Sequence, residues 1–197
     1  PKRLMRMYTP GWEMAHVSVR EAFEDALSRL SNAGVDIVEP GSTPALQALE
    51  DDFARADGCV AEVAAFEMRW PFFEYEREGH QFHGRIERLL ERAHAITLED
   101  YNTALAWKDG FRDRYVATAQ DIDGVIGLTA PEVAPLGLEN LGNPLMCSPA
   151  SCMGAPAITL PALSADGLPL GLQLIGYHNR DADLFAMANW VDDALVR

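Results

Sequence analysis

The segment GAPAITLPALSADGLPLGLQLIG, residues 154–176, decides the fold. Two largely apolar runs flank the sequence Ser-Ala-Asp-Gly, and an Asp-Gly pair between such runs is a strong hairpin signal. The segment therefore predicts two antiparallel strands. Its glycines at 171 and 176 predict a close backbone approach or a bulge rather than a binding role. The segment has no His, Lys or Cys and its only charged residue is Asp166, so reactive groups must come from elsewhere.

The first third of the chain predicts a parallel βαβ unit. Residues 3–8 are typical of a short strand, apolar residues from Val19 to Leu30 recur with helical spacing, and residues 35–39 are typical of a second strand. A strand, a helix and a strand with short connections between them form a right-handed crossover unit in which the two strands are parallel. Together with the hairpin it predicts an α/β fold in which part of a mixed sheet is flanked by helices. No repeat or domain boundary is visible, so residues 1–197 are expected to form a single domain.

Helix ends carry their own signals. Ser18 followed by Glu21 has the spacing of a capping box, and Gly34 is placed to end the same helix in a left-handed conformation. Thr97 is a second candidate helix start. Further helices are expected over about 45–70, interrupted at Gly58 and stopped by Pro71; around 86–93; from 98 to about 119; and over 181–196. A loop is expected from 72 to the short helix, a buried strand over 121–128, and a long irregular loop over 132–153.

Composition limits the possible partners. The formal net charge is −14, from 30 acidic and 16 basic residues, which disfavours binding to nucleic acid or to anionic membrane surfaces. No apolar run approaches the roughly eighteen residues that cross a bilayer. The three cysteines are too scattered for a disulfide framework and suit a reducing, cytoplasmic setting.

A metal site is one alternative that the histidines raise. His80 and His83 could bind a metal from one helical face, with Glu74, Glu76 or Glu87 as further ligands. Gly79 and Gly84 bracket the pair and argue against a rigid helix there. Solvated loop histidines are the favoured interpretation, and we expect no metal and no cofactor.

The candidate nucleophiles do not assemble into a catalytic apparatus. They are Cys147, Cys152, Ser148, Ser151 and Ser164. None of the serines lies in a G-x-S-x-G elbow, and the cysteine spacing fits no usual C-x-x-C site, so packing roles are favoured for the cysteines. The two lysines, Lys2 and Lys108, lack a setting that would lower their pKa for use as a base. We therefore predict no catalytic residue in this sequence.

Several segments in order resemble the carboxyl-terminal part of the amidase signature family. LTAPEVAP (128–135) resembles the family's strand-end segment, and Asn143 followed by GAPAITLP (154–161) resembles its next segment. DGLPLGLQLIG (166–176) resembles its strand G-L-P-x-G-x-Q-x-x-G and is the most specific of the three. TPGW (9–12), AGVDIVE (33–39) and the closing helix extend the resemblance over nearly the whole chain, more loosely between about 45 and 120.

The resemblance implies an activity for which the reactive half is not in this sequence. Members of the family hydrolyse carboxamides or transfer the released ammonia, with a serine nucleophile, a second serine in a cis peptide and a lysine base. These lie in a Gly/Ser-rich amino-terminal half that has no counterpart here. The chain thus resembles the carboxyl-terminal portion of an amidase, as a fragment, proteolytic product or truncated gene product. It is expected to be inactive alone, with the missing amino-terminal half or a second copy of the chain as partner and a small amide as substrate only with the catalytic half.

By the same resemblance, loops after the strands line the substrate pocket, as loops at the carboxyl ends of strands do in sheet-based enzymes. The pocket candidates are Thr129, Pro131, Asn143, Cys152 and Met153. Plain loop packing is the alternative for each. For the chain as a whole, the alternatives are a non-catalytic amidase-like binding or assembly module and, last, a metal-dependent hydrolase built on His80 and His83.

Overall fold

The computed structural model describes residues 1–196, which contain one five-stranded mixed sheet. The strands are β1 (Arg3–Arg6), β2 (Asp36–Val38), β3 (Gly124–Leu128), β4 (Ala157–Ala165) and β5 (Leu168–Ile175). Their order across the sheet is β2-β1-β3-β5-β4. β1 pairs in parallel with both β2 and β3, whereas β5 pairs antiparallel with both β3 and β4. The mixed α/β architecture, the parallel βαβ unit and the hairpin are confirmed.

The hairpin turn has the backbone that its sequence predicts. Asp166 and Gly167 have φ values of 53° and 78°, and positive φ at both central residues matches the right-handed twist of the flanking strands. The pairing register between β4 and β5 shifts further along the hairpin. The chain advances by three residues on β4, from Leu160 to Leu163, while it advances by only two residues on β5. The extra residue on β4 makes a bulge opposite Gly171.

Eight helices lie among the described residues. They are α1 (Thr9–Met14), α2 (Val17–Asn32), α3 (Pro44–Glu67), α4 (Arg69–Arg77), α5 (Arg85–Ala95), α6 (Leu98–Ala117), α7 (Ser148–Met153) and α8 (Asp181–Val196). Short 3-10 turns occupy Pro40–Ser42, Thr118–Gln120 and Leu145–Cys147. No helix within residues 1–196 is long and apolar enough to span a bilayer.

Alternating side chains of the central strands build a core on each face of the sheet. Leu4 and Ile126 pack with α2 and α8 on one face. Met5 and Val125 pack with α3, α6 and α7 on the other. Because successive strand residues point to opposite faces, these short apolar strands are buried on both sides.

One predicted helix cap is wrong and another is present. α2 begins at Val17, with His16 before it and no side-chain cap. The Ser18 hydroxyl instead donates to Asp166, at 2.8 Å, so the expected capping box does not form. At α6 the Thr97 hydroxyl accepts from the Asp100 N–H while the Asp100 carboxylate accepts from the Thr97 N–H, which completes a capping box.

Three loop or break predictions are also corrected. α3 passes through Gly58 without interruption, because a glycine costs a long helix only about 1 kcal/mol. Residues 72–77 are helical: α4 extends past Pro71, with a kink at Trp70. The end of the predicted 132–153 loop is the helix α7, which has a proline at its start and Gly154 in the left-handed region at its end.

Candidate substrate cavity

The parallel strands β1 and β3 end at the same edge of the sheet. The Met7 N–H after β1 donates to the carbonyl oxygen of Ile126, at 2.9 Å. Next to it, the Thr9 hydroxyl lies 3.1 Å from the sulfur of Met146, and a Cβ added to Gly11 would lie 2.8 Å from that sulfur. The turn Leu145–Cys147 therefore packs directly on the segment that follows β1. In open α/β sheets, ligands bind at this kind of edge.

Strand β5 holds the chain that follows β3. The Thr129 N–H donates to the carbonyl oxygen of Gly171, at 3.1 Å, and the Gln173 side chain donates to the carbonyl oxygen of Met146, at 3.0 Å. The Cys147 thiol contacts the carbonyl oxygen of Thr129, at 3.4 Å. The glycine and glutamine of the G-L-P-x-G-x-Q strand thus fix both ends of the loop between β3 and α7.

Two threonine side chains occupy the space that a side chain at position 171 would need, so this position requires glycine. A Cβ at this position would lie 2.3 Å from the Thr129 hydroxyl oxygen and 2.6 Å from the Thr159 methyl carbon, closer than real contacts allow. The predicted close approach is therefore present, although side chains rather than backbone make it. The Thr129 hydroxyl is buried and has no hydrogen-bond partner within the described part of the chain.

A cavity of about 1130 Å³ lies beside these anchors, between α3, α5, the segment after β3 and the β4–β5 hairpin. One wall is apolar and includes Val133, Pro135 and Leu141. The wall formed by α5 is basic: its lining residues are Arg85, Arg88, Leu89 and Arg92. The cavity therefore has one side suited to hydrocarbon and one side suited to an anion.

The acidic groups at the cavity have partners or lie apart from the arginines. Asp57 accepts a hydrogen bond from the buried Ser148 hydroxyl, at 2.7 Å. Arg92 forms a bidentate pair with Glu62, at 2.9 and 2.5 Å, which raises the pKa of Arg92 further. Glu132 also lines the cavity but forms no ion pair with an arginine of the described residues.

The five residues predicted for the pocket occupy different places. Thr129 and Asn143 line the cavity. Pro131 is buried, and its carbonyl oxygen accepts from the His16 N–H, at 3.2 Å. Cys152 and Met153 are buried in the core between the sheet and helices α3 and α6, outside the residues that line the cavity. Their contact with a substrate stays a prediction.

Sequence reasoning missed the basic wall. Arg85, Arg88 and Arg92 follow each other at i, i+3 and i+7, the spacing of one helix face. That spacing was a usable signal, but only the fold brings this face opposite the segment after β3. Asp57, on α3, was missed for the same reason.

The cysteines are not paired with a base. Burial raises the pKa of the Cys147 thiol. The Cys59 thiol donates to the carbonyl oxygen of Ala104, at 3.5 Å, and interaction with the Cys152 thiol lowers the pKa of Cys59 and raises that of Cys152. A catalytic cysteine is usually a thiolate formed by a neighbouring histidine, and none of these three has a histidine contact in residues 1–196.

One cluster on the surface contains Ser, His and Asp. His16 Nδ1 lies 3.0 Å from the Ser18 hydroxyl, which donates to Asp166 rather than to the imidazole. In a catalytic triad the imidazole stands between hydroxyl and carboxylate, whereas here the carboxylate holds the hydroxyl directly. The His16 side chain is 72% exposed and lies outside the cavity lining. The cluster therefore lacks the geometry of an acyl-transfer site.

The metal alternative finds no support. No group of three or more His, Cys, Asp or Glu within residues 1–196 could hold a metal ion. His80 approaches Glu78, at 3.7 Å, and His94 bonds Glu76, at 2.8 Å, while His83 is exposed. The pair that suggested the site consists of surface side chains.

Comparison with known proteins gives a consistent result. The family model described as Amidase matches residues 1–185. One of the subunits of glutamyl-tRNA(Gln) amidotransferase from Exiguobacterium sp. AT1b is 27% identical over 207 residues, covering 89% of this chain and 42% of that protein. Mandelamide hydrolase of Pseudomonas putida is 26% identical over 220 residues, covering 94% and 42%. The chain thus spans less than half the length of these curated relatives.

The fold is also found among solved structures. Allophanate hydrolase of Kluyveromyces lactis superposes with a TM-score of 0.77 at 18% identity, covering 99% of this chain and 33% of that one. At this identity the likeness establishes the fold alone.

Proposed function

This chain belongs to the amidase family, and we propose that it forms the carboxyl-terminal portion of an enzyme that hydrolyses the carbon–nitrogen bond of carboxamides. It contributes walls of the substrate cavity and no catalytic group. The observation that carries the proposal is the anchoring of the cavity-side loop by Gly171 and Gln173, two residues of the amidase-like strand. That strand has a positioning role at a ligand-binding edge.

Of the five residues predicted from the sequence, Thr129 and Asn143 are the two that we expect to face the substrate, since both line the cavity. Pro131, Cys152 and Met153 support the same loop: Pro131 through its bond to His16, and the other two by packing in the core. Hydrolysis also needs a nucleophile, a base and oxyanion donors, which the rest of the enzyme would supply.

The partner we propose for this chain is the amino-terminal, catalytic part of the amidase fold, with a second copy of the chain as the alternative. Leu136, Leu138 and Leu141 are between 92% and 105% exposed in the segment after β3, beside the cavity. A row of exposed leucines next to a ligand site favours a covering protein surface. The three free cysteines suit a reducing compartment, and we expect the protein in the cytoplasm.

The experiment compares ammonia release from a panel of carboxamides by this chain alone and by the full-length product of its gene. The chain alone should release none, and the full-length product should be active. Activity of the chain alone, or an inactive but folded full-length product, would refute the proposal. The reading frame before Pro1 is informative too, since a Gly/Ser-rich segment with an upstream lysine is expected there.

The second candidate is a non-catalytic amidase-like module for binding or assembly. Burial on both faces of the sheet favours it, because two core clusters could let the chain fold by itself. Cooperative melting of the isolated chain together with an inactive full-length product would favour this module. A chain that aggregates alone and melts cooperatively only in the longer protein would favour the amidase portion.

A further inference from the structure

Helix α5 turns two unlike faces to its surroundings. Its buried residues, Leu90 and Ala93, belong to the face that packs on the rest of the protein, and Ala93 joins a small core cluster with Ala65 and Ile96. The other face carries the three arginines that line the cavity, Arg85, Arg88 and Arg92. The helix therefore presents positive charge to the cavity even though the chain as a whole is strongly acidic.

Two of these arginines have no partner. Arg92 is neutralised by Glu62. The side chains of Arg85 and Arg88 make no hydrogen bond, ion pair or ring contact with residues 1–196, although the chain contains 30 acidic residues. Asp57, the acid of the facing helix α3, is engaged by Ser148, and Glu132 on the loop wall pairs with neither arginine. Two guanidinium groups one helical turn apart at a cavity are thus free to bind an anion.

The chemistry of the cavity walls and the net charge of the chain indicate which class of anion the two arginines bind. Guanidinium groups match the planar, two-oxygen geometry of a carboxylate. Val133 and Pro135, which are partly buried on the other wall, suit a hydrocarbon chain. The net charge of −14 disfavours a large polyanion such as RNA, so a small molecule with a single anionic group fits better.

We propose that this cavity binds amides that carry a carboxylate at the end away from the amide group, with Arg85 and Arg88 holding that carboxylate. The inference rests on the proposed amidase function and adds its substrate class. In the reaction water adds to the amide carbon, the C–N bond breaks, and ammonia and a second carboxylate leave; the distal carboxylate is unchanged.

The test uses adipamate, the monoamide of adipic acid, and its methyl ester, which keeps the carbon chain but has no charge. Both are assayed for ammonia release by the full-length product of the gene, and their binding to the same protein is measured by calorimetry. The double variant R85A/R88A is compared with R77A/R180A, which removes the same charge at two exposed arginines outside the cavity, each paired with its own i±3 acid.

The expected result is that adipamate has a kcat/KM at least tenfold above that of its ester. R85A/R88A should raise the KM and Kd for adipamate about tenfold and leave the ester unaffected, while R77A/R180A changes neither. Inorganic phosphate at equal ionic strength should compete less well than adipate. Stronger competition by phosphate would overturn the carboxylate assignment.

The two proposals fail in different ways. Ammonia release from both compounds with no effect of R85A/R88A overturns the carboxylate site and leaves the amidase proposal standing. Arginine-dependent binding of adipamate without ammonia release from any amide overturns the amidase proposal and leaves the anion site standing. Equal binding of adipamate and ester, in wild type and in both variants, overturns the carboxylate site whatever the activity.

Discussion

The side chain of Gln173 on β5 donates a hydrogen bond to the main-chain carbonyl oxygen of Met146, at 3.0 Å, inside the core. Met146 lies in the turn before α7 and also contacts Thr9 and Gly11 in α1, the helix that follows β1. A single glutamine thus joins the last strand of the sheet to the edge where the cavity forms. This explains why a strand without reactive groups is distinctive in a member of the amidase family: it positions the chain around the cavity.

Replacing Gln173 by leucine should destabilise the protein. The Met146 carbonyl would lose its donor while remaining buried, which costs about 1–3 kcal/mol of the free energy of unfolding. Denaturant unfolding measures the change. Gln81→Leu, in an exposed loop, is the matched control and should stay within about 0.5 kcal/mol of wild type. If the two variants unfold alike, the hydrogen bond does not hold the turn.

Gly171→Ala and Gly58→Ala should change stability in opposite directions. At Gly171 a methyl group meets Thr129 and Thr159, and such overpacking costs about 1–3 kcal/mol. At Gly58 nothing lies within 4 Å of the added Cβ, and alanine in mid-helix stabilises by about 0.5–1 kcal/mol. Thermal unfolding of both variants checks the pair. A neutral Gly171→Ala would mean that Thr129 can move away from β5.

How far the sequence predicts this fold depends on how local each signal is. The hairpin was predictable because Asp166 and Gly167 determine their own turn. The start of α2 was not, because the His16 N–H is bound by Pro131, more than a hundred residues away, and Ser18 by Asp166. The basic wall of the cavity had a helical spacing in the sequence, but only tertiary packing places it opposite the segment after β3.

Glu50 should make the protein less stable as the pH rises from about 4 to 7. Burial raises the pKa of Glu50. The hydrogen bonds that its carboxylate accepts from the N–H groups of Thr9 and Tyr8 lower the pKa, but they offset the effect of burial only in part. The native state therefore binds more protons than the unfolded state above the ordinary value of 4.5, and stability falls with pH there.

Glu50→Gln removes this titration. The stability of wild type relative to Glu50→Gln should be greatest near pH 4 and decrease towards pH 7, measured by urea unfolding at each pH. Glu21→Gln, at an exposed position of α2, is the control. A difference between wild type and Glu50→Gln that grows with pH would contradict the raised pKa.

The capping box of α6 should have the opposite pH dependence: its contribution to stability should decrease as the pH falls. The Thr97 N–H, and then its hydroxyl, lower the pKa of Asp100 by hydrogen bonding to its carboxylate. The stabilisation is therefore present above the ordinary value of 3.8 and is lost as the pH falls below it. Melting temperatures of wild type and Asp100→Asn should differ most above pH 5 and should converge as the pH falls below 3.8. Thr97→Ala should cost about 1 kcal/mol at pH 7. Parallel melting curves at all pH values would show that the box is not formed.

Cys59 should be the first cysteine to react with iodoacetamide at pH 7.5. The hydrogen bond from Cys152 lowers the pKa of Cys59, burial opposes this, and the charges of Lys108 and Arg55 add to the lowering. Cys59 is 8% exposed and lies at a groove between α3 and α6. The thiolate is the reacting species, so Cys59 should be labelled before Cys147, whose pKa is raised by burial.

Peptide mapping by mass spectrometry over a time course gives the order of labelling. Cys152→Ala should slow the labelling of Cys59, because the donor that stabilises its thiolate is removed. An access effect alone would do the reverse, since the smaller side chain opens space beside Cys59. Lys108→Ala should slow the reaction to a smaller extent, because its charge acts at longer range than the hydrogen bond. Labelling of Cys147 first would refute the assignment, and unchanged labelling in Cys152→Ala would show that the two thiols are not coupled.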